Sequence, residues 1–199
     1  MTLFKKFDLK PISTFSLLFL LMALTRGSHL LTSVSLPDAS FALFLIGGML
    51  LKKPRWFVAL FMFSFVIDLE ALSMNSNYQI LINIGYLGLF SSYGIMWFFG
   101  SRIAHTKSFS KFVVFSVLAT LIAFIISTQT FNLLSGTFPD ITIKQSIQTG
   151  WEYLPQSFIY TMSYIVTYWG IQSLLKKQFF RKKLPVSYTH LTLPTILRV

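Results

Sequence analysis

The sequence lacks cysteine and has few charged residues. With no Cys among its 199 residues, the chain can form no disulfide, no thiolate metal site and no cysteine nucleophile. Only 12% of the residues are charged, whereas a typical soluble domain has about 25%. A Gly-rich phosphate loop, an HExxH motif and a GxSxG motif are all absent. The sequence therefore predicts a protein that is not an enzyme and that holds no cofactor.

Apolar and aromatic residues dominate what remains. They make up 54% of the chain, and Phe alone occurs 22 times. This composition is typical of an integral membrane protein, with the lipid bilayer as its surroundings. A net charge of +11 would suggest nucleic-acid binding in a soluble protein. Here the basic residues lie in short clusters between apolar runs, so we expect no nucleic-acid partner.

The end of the chain is set apart from this interpretation. The decapeptide from Val186 to Thr195 is similar to the translation of a transposon-type sequencing adapter. We therefore expect residues 186–199 not to belong to the native protein, whose true C-terminus would be missing. Residues 1–185 are expected to form a single membrane domain.

Six apolar segments predict an all-α bundle of six transmembrane helices. Segment 1 is expected to be a retained helix, since it lacks a good cleavage site for a signal peptide. Ser35 and Asp38 form a capping-box pattern at the start of segment 2, with Pro37 in the first turn. The connection from Gln129 to Leu154 is the longest, and such connections are often lids or site walls. The segments are Ile12–Thr25, Leu36–Leu51, Trp56–Leu72, Ile80–Phe99, Phe112–Thr128 and Pro155–Leu175.

Charge asymmetry predicts the orientation. With six spans, both termini lie on one side, and that side has 14 Lys and Arg residues, whereas the opposite side has two, Arg26 and Lys144. The positive-inside rule therefore places both termini in the cytoplasm. The acids follow the reverse pattern, since Asp8 alone lies on the inner side.

The polar bridge between segments 1 and 2 is the first candidate site. It contains Arg26, His29 and Asp38, and polar groups near a bilayer need a partner or a function. Either Arg26 and Asp38 form a structural ion pair between the two helices, or these groups bind a ligand at the outer face. A single outer histidine is too little for a metal site. Asp68 and Glu70 lie two apart, so they point to different faces, and Asp68 is expected to face the interior.

Aromatic residues give the second candidate feature. Tyr86, Phe90, Tyr93 and Trp97 recur at steps of four, three and four along segment 4. Such a stripe either packs in the core or, through Tyr86, Tyr93 and Trp97, forms a stacking wall for a ligand. Segment 6 has Tyr160, Tyr164 and Tyr168 at steps of four. In the long connection, Trp151 and Glu152 are expected to belong to a lid over the site.

Four motifs stand out in the apolar part of the chain. They are Arg26-Gly27-Ser28-His29, Leu36-Pro37-Asp38-Ala39-Ser40, Ile67-Asp68 and Gly85-Tyr86 through Tyr93-Gly94-x-x-Trp97. Together they resemble a family of small bacterial membrane proteins that are labelled cobalamin transporters or substrate-binding components of energy-coupling-factor-type vitamin transporters. The resemblance covers roughly residues 12–176.

The resemblance implies capture of a vitamin, cobalamin in particular, at the outer face of the bacterial cytoplasmic membrane. An ATP-hydrolysing coupling module would then drive reorientation. Segment 1 departs from the family pattern, because it lacks the Ala-x-x-x-Ala motif with which such subunits often dock on the coupling protein. The alternative is a non-catalytic membrane scaffold of a cell-envelope complex, in which the polar bridge would contact a protein.

Overall fold

The computed structural model describes residues 11–26, 36–74, 84–138 and 140–181. Within these ranges the chain forms seven α-helices, one 3-10 turn and no strand, so the all-α prediction is confirmed. The chain divides into two compact units, residues 1–166 and residues 167–199. The helices are α1 (Pro11–Arg26), α2 (Ser40–Leu50), α3 (Pro54–Met74), α4 (Tyr86–Ile103), α5 (Phe109–Leu134), α6 (Ile143–Gly150) and α7 (Leu154–Arg181), with the 3-10 turn at Trp151–Tyr153.

The six predicted segments correspond to α1 to α5 and α7, but two of the starts were wrong. Helix α2 begins at Ser40, not at Leu36, and Pro37 lies before the helix. Asp38 Oδ1 accepts hydrogen bonds from the Ser40 backbone N–H at 2.9 Å and the Ser40 hydroxyl at 2.6 Å. This local side-chain bonding gives the backbone an alternative to an earlier helical turn. Ser35 of the predicted capping box lies outside the described residues.

Helix α4 was predicted to begin at Ile80, but it begins at Tyr86. A turn at Ile84 and Gly85 precedes it, with the Leu87 N–H donating to the Ile84 carbonyl at 3.0 Å. Residues 80–83 lie outside the described ranges.

The predicted long connection from Gln129 to Leu154 is largely helical. Helix α5 continues to Leu134, and α6 and the 3-10 turn occupy Ile143–Tyr153. A capping box starts α6, since the Thr142 hydroxyl accepts from the Gln145 N–H at 3.3 Å while Gln145 Oε1 accepts from the Thr142 N–H at 3.0 Å. Eight residues are too few for a clear helical period in the sequence, which explains why α6 was missed.

Helix α2 is short and central. At 1.5 Å per residue, its 11 residues extend about 17 Å. Its middle section, from Ala42 to Gly48, is buried throughout. Glycines let α2 approach α4 closely: a Cβ added at Gly48 would overlap the backbone carbonyl of Trp97, and one at Gly100 would overlap that of Leu45. The two helices therefore meet backbone to backbone, as small residues allow in membrane bundles.

Helix α5 packs against α4 on one side and α6 on another. Ala119 and Ala123 are fully buried, and the Ser92 hydroxyl of α4 donates to the Ala123 carbonyl at 2.8 Å. On α6, the Ser146 hydroxyl donates to Gln129 Oε1 at 2.7 Å, and the amides of Gln129 and Asn132 donate to the Ser146 carbonyl at 3.4 and 3.3 Å. These hydrogen bonds therefore hold α6 against α5.

Helix α5 is the one helix in the described part of the chain that is long and apolar enough to cross a membrane, with 26 residues and a mean hydropathy of 2.3. Helices α1 and α2 are apolar but shorter. The loops α2–α3 and α4–α5 lie together, because Lys52 Nζ and His105 Nε2 are 2.7 Å apart.

Candidate functional site

Arg26, the last residue of α1, is the centre of a polar network. Its Nε donates to Asp68 Oδ1 at 2.7 Å and its Nη2 to Asp68 Oδ2 at 2.6 Å, a bidentate pair between α1 and α3. The two side chains are only 13% and 11% exposed. Charge-assisted bidentate bonds of this kind are among the strongest in proteins, and burial demands such pairing.

The other terminal nitrogen of Arg26 points to α2 and α4. Nη1 donates to the hydroxyls of Ser40, at 3.0 Å, and Tyr93. It also lies 3.4 Å from Asp38 Oδ2, a longer contact whose carboxylate is 52% exposed. The guanidinium of α1 thus connects α1 to α2, α3 and α4. It can do so because arginine has five N–H donors in a fixed planar arrangement.

Two tyrosines complete the network from α4. The Tyr86 hydroxyl donates to Asp68 Oδ2 at 2.8 Å, on the same carboxylate oxygen that Arg26 Nη2 contacts. Tyr93 is 1% exposed, and its ring stacks on Phe44 of α2 with centroids 4.2 Å apart. Aromatic packing therefore positions the hydroxyl that meets Arg26.

A cavity of about 470 Å³ opens beside Arg26. Its walls come from the C-terminal end of α1, the start of α2, the first half of α4, the second half of α5, the 3-10 turn and the first part of α7. The lining residues are Arg26, Pro37, Asp38, Ser40, Phe41, Leu89, Tyr93, Ser127, Tyr153, Gln156, Ser157, Tyr160 and Thr161.

Three of the nine predicted site residues line this cavity: Arg26, Asp38 and Tyr93. Asp68 and Tyr86 lie behind Arg26 and hold it in place. Asp68 and Glu70 were predicted to lie on different faces of the helix, with Asp68 facing the interior. This prediction is confirmed, because Asp68 is buried and Glu70 is exposed.

The remaining predicted residues lie elsewhere. Trp97 is 7% exposed and packs edge-on against Phe57, with centroids 5.7 Å apart, so it is a core residue and not part of a stacking wall at the cavity. Trp151 and Glu152 are exposed in the 3-10 turn and are not among the residues that line the cavity, whereas their neighbour Tyr153 is. His29 lies outside the described residues.

An ion pair between Arg26 and Asp38 was one of the two alternatives for the polar bridge, and the structure contains it at 3.4 Å. The closer partner of Arg26 was not predicted: it is Asp68, 42 residues away. The wall from α7, where Gln156, Ser157 and Thr161 line the cavity, was not predicted. Ser157 and Thr161 lie four apart, so a search for polar groups on one face of segment 6 could have found them.

The arrangement can bind a small organic molecule through hydroxyls, an amide, aromatic rings and one exposed carboxylate. Among the described residues no cluster of three His, Asp or Glu side chains could hold a metal ion. The chain matches no protein-family model and no curated protein sequence.

Proposed function

We propose that this chain is a six-span protein of the bacterial cytoplasmic membrane that captures a small organic solute in the cavity beside Arg26. It would act as the substrate-binding subunit of a vitamin uptake transporter, with an ATP-hydrolysing partner driving transport. The observation that carries the proposal is a ligand-sized cavity with a buried arginine network in its wall. Ionisable residues are rare within apolar bundles, and those that occur pair with one another and often mark a binding site.

Exposed apolar side chains support placement in a bilayer. Val58, Met62 and Val66 form a stripe along α3 and are 47%, 53% and 54% exposed. Similar outward-facing residues occur on α1 and α5, including Leu20 and Leu118. Contiguous exposed apolar surface of this extent is unusual in soluble monomers. The short helix α2 needs no match to the bilayer thickness, because its middle section is buried by the surrounding protein.

The distribution of charge supports an outward-facing cavity. Asp38, Asp68 and Glu152 lie at or near the cavity end of the helices. Basic residues lie at the opposite ends of the same helices, in the loops or in the adjoining helical turn, namely Lys52, Lys53, Arg55, Arg102, Lys107 and Lys111. Under the positive-inside rule, the basic end is cytoplasmic and the cavity faces outward.

The cavity volume constrains the solute. A volume of about 470 Å³ lies in the lower half of the roughly 300–1,000 Å³ range of pockets for drug-sized ligands. It suits a vitamin smaller than a complete corrinoid with its nucleotide loop. Cobalamin is retained as a candidate because of the family resemblance of the sequence.

Calorimetric titration of the detergent-purified protein with a vitamin panel, including cobalamin, tests the proposal. We expect saturable binding of at least one vitamin. Ser157→Phe should fill the cavity and weaken binding at least about tenfold, a loss of about 1.4 kcal/mol. Ser163→Phe is the matched control, since Ser163 is exposed on the same helix and does not line the cavity.

If Ser157→Phe and Ser163→Phe weaken binding equally, the solute does not bind in the cavity beside Arg26. An absence of binding across the panel by folded protein would contradict the proposal. That result would favour the scaffold alternative.

A further inference from the structure

The positive charge of Arg26 is already matched within the protein. Asp68 accepts two short hydrogen bonds from the guanidinium, through Nε and Nη2. This bidentate pair occupies the Nε–Nη2 edge of the arginine, and Nη1 already donates to the hydroxyls of Ser40 and Tyr93. An incoming anionic solute would therefore have to compete with Asp68 for Arg26.

The positive end of the α2 helix dipole is also neutralised within the protein, by Asp38. The backbone N–H of Ser40 donates to Asp38 Oδ1 at 2.9 Å, and the Ser40 hydroxyl donates to the same oxygen at 2.6 Å. An anion at a helix N-terminus is stabilised by the helix dipole, and here Asp38 itself takes that position. The helix end consequently offers little attraction to a second anion.

The second carboxylate oxygen of Asp38, Oδ2, lies at the cavity wall and has no short hydrogen bond to the described residues. Among the described residues its one contact is with Arg26 Nη1 at 3.4 Å, and the side chain is 52% exposed at the cavity wall. At that length the hydrogen bond is weak, so Oδ2 keeps capacity to accept from a solute. The described cavity region thus combines two carboxylates with one guanidinium.

The other lining groups are neutral and favour a cation. Phe41, Tyr153 and Tyr160 line the cavity, and the faces of aromatic rings attract cations. Hydroxyls and the Gln156 amide can satisfy the remaining polar groups of a solute.

We infer that the cavity selects a small organic cation, whose protonated nitrogen pairs with Asp38 while its apolar part packs against the aromatic lining. This inference rests on the proposed function and names the charge class of the solute. Asp38 would be the residue that determines specificity, and Asp68 would keep Arg26 from attracting anions.

Three analogues of vitamin B6 make a matched set of probes. Pyridoxamine, pyridoxine and 4-pyridoxate share one ring and carry an aminomethyl, a hydroxymethyl or a carboxylate group at the same position. We expect calorimetry to show pyridoxamine binding at least about tenfold more tightly than 4-pyridoxate, with pyridoxine between them, because hydrogen bonds to charged groups are the stronger ones.

Asp38→Asn tests the role of the negative charge at this position. It preserves the bonds to Ser40, since the amide oxygen of asparagine can still accept hydrogen bonds from the Ser40 N–H and hydroxyl. We expect the preference for pyridoxamine over pyridoxine to vanish in this variant. Asp140→Asn is the control: Asp140 is exposed, does not line the cavity and has the positive φ of 65° that Asn tolerates.

Each outcome is decisive. Tighter binding of 4-pyridoxate, or an unchanged preference in Asp38→Asn, would overturn the inference and leave the proposed function standing. Binding of cobalamin without binding of pyridoxamine would do the same. No binding of any vitamin would overturn both.

Discussion

Asp68 illustrates how a buried charge is tolerated in this chain. It accepts from Arg26 Nε, Arg26 Nη2 and the Tyr86 hydroxyl, so both carboxylate oxygens have short partners. A lone charge in such a place would be costly, and the hydrogen bonds to both carboxylate oxygens offset much of that cost. The network therefore serves first to hold the ends of α1, α3 and α4 together, whatever the cavity binds.

Removing the Asp68 carboxylate should destabilise the protein strongly. Asp68→Ala leaves the Arg26 charge buried without its close partner, so we expect the free energy of unfolding to fall by about 3–5 kcal/mol. Equilibrium unfolding of the detergent-purified protein would measure this loss.

Glu70→Ala is the matched control for Asp68→Ala. Glu70 is exposed on the same helix, two residues away, and its replacement should change stability by no more than about 0.5 kcal/mol. Equal effects of the two substitutions would contradict the role assigned to the Arg26–Asp68 pair.

At the scale of the helices, the close approach of α2 and α4 is the main structural feature. Gly48 and Gly100 face the backbone of the opposite helix, where a Cβ has no room. Backbone atoms cannot move aside as a flexible side chain can, so each glycine is required by packing. This close contact also places Ser40 at the start of α2 near Tyr93 of α4, with Arg26 donating to both hydroxyls.

Gly100→Ala should separate α2 from α4. We expect a loss of about 1–3 kcal/mol in the free energy of unfolding, as for other overpacked sites, measured by the same equilibrium unfolding.

Gly94→Ala provides the comparison within α4. A Cβ at Gly94 would meet only Phe57 Cζ, at 4.0 Å, which is an ordinary contact. This substitution should be neutral or stabilise the protein by about 0.5–1 kcal/mol, because alanine favours the helix. A larger loss for Gly94→Ala than for Gly100→Ala would show that the described contact does not limit packing.

At the scale of the whole molecule, the proposed orientation can be tested directly because the chain contains no cysteine. Single cysteines can be introduced at Asp140, near the α5–α6 connection, and at Lys107, in the α4–α5 loop; both positions are exposed. In intact cells a membrane-impermeant maleimide should label Asp140→Cys. It should label Lys107→Cys only after the membrane is permeabilised, since basic loops stay in the cytoplasm.

Permeabilised cells serve as the control for both cysteine variants, because both should then react. Labelling of Lys107→Cys in intact cells, with Asp140→Cys protected, would reverse the proposed topology. Labelling of neither variant after permeabilisation would contradict the exposure of the two positions.

The sequence alone was sufficient for the helical class and for the approximate positions of six of the seven described helices, because apolar runs bounded by basic clusters and turns need no tertiary information. It also separated Asp68 from Glu70, since helical geometry places residues two apart on different faces. It selected Arg26 and Asp38 as polar groups in apolar surroundings, and both line the cavity. The ends of the helices were less predictable, as the starts of α2 and α4 show, because local hydrogen bonds decide where a helix begins.

Which side chains pair with one another depends on how the helices pack. The pairing of Arg26 with Asp68 joins residues 42 apart, and no helical period connects positions on different helices. The same holds for the burial of Trp97 against α2, for the fastening of α6 to α5 and for the polar wall that α7 contributes. Side-chain type limits which bonds a residue can form, but the packing of the helices determines which of those bonds it makes.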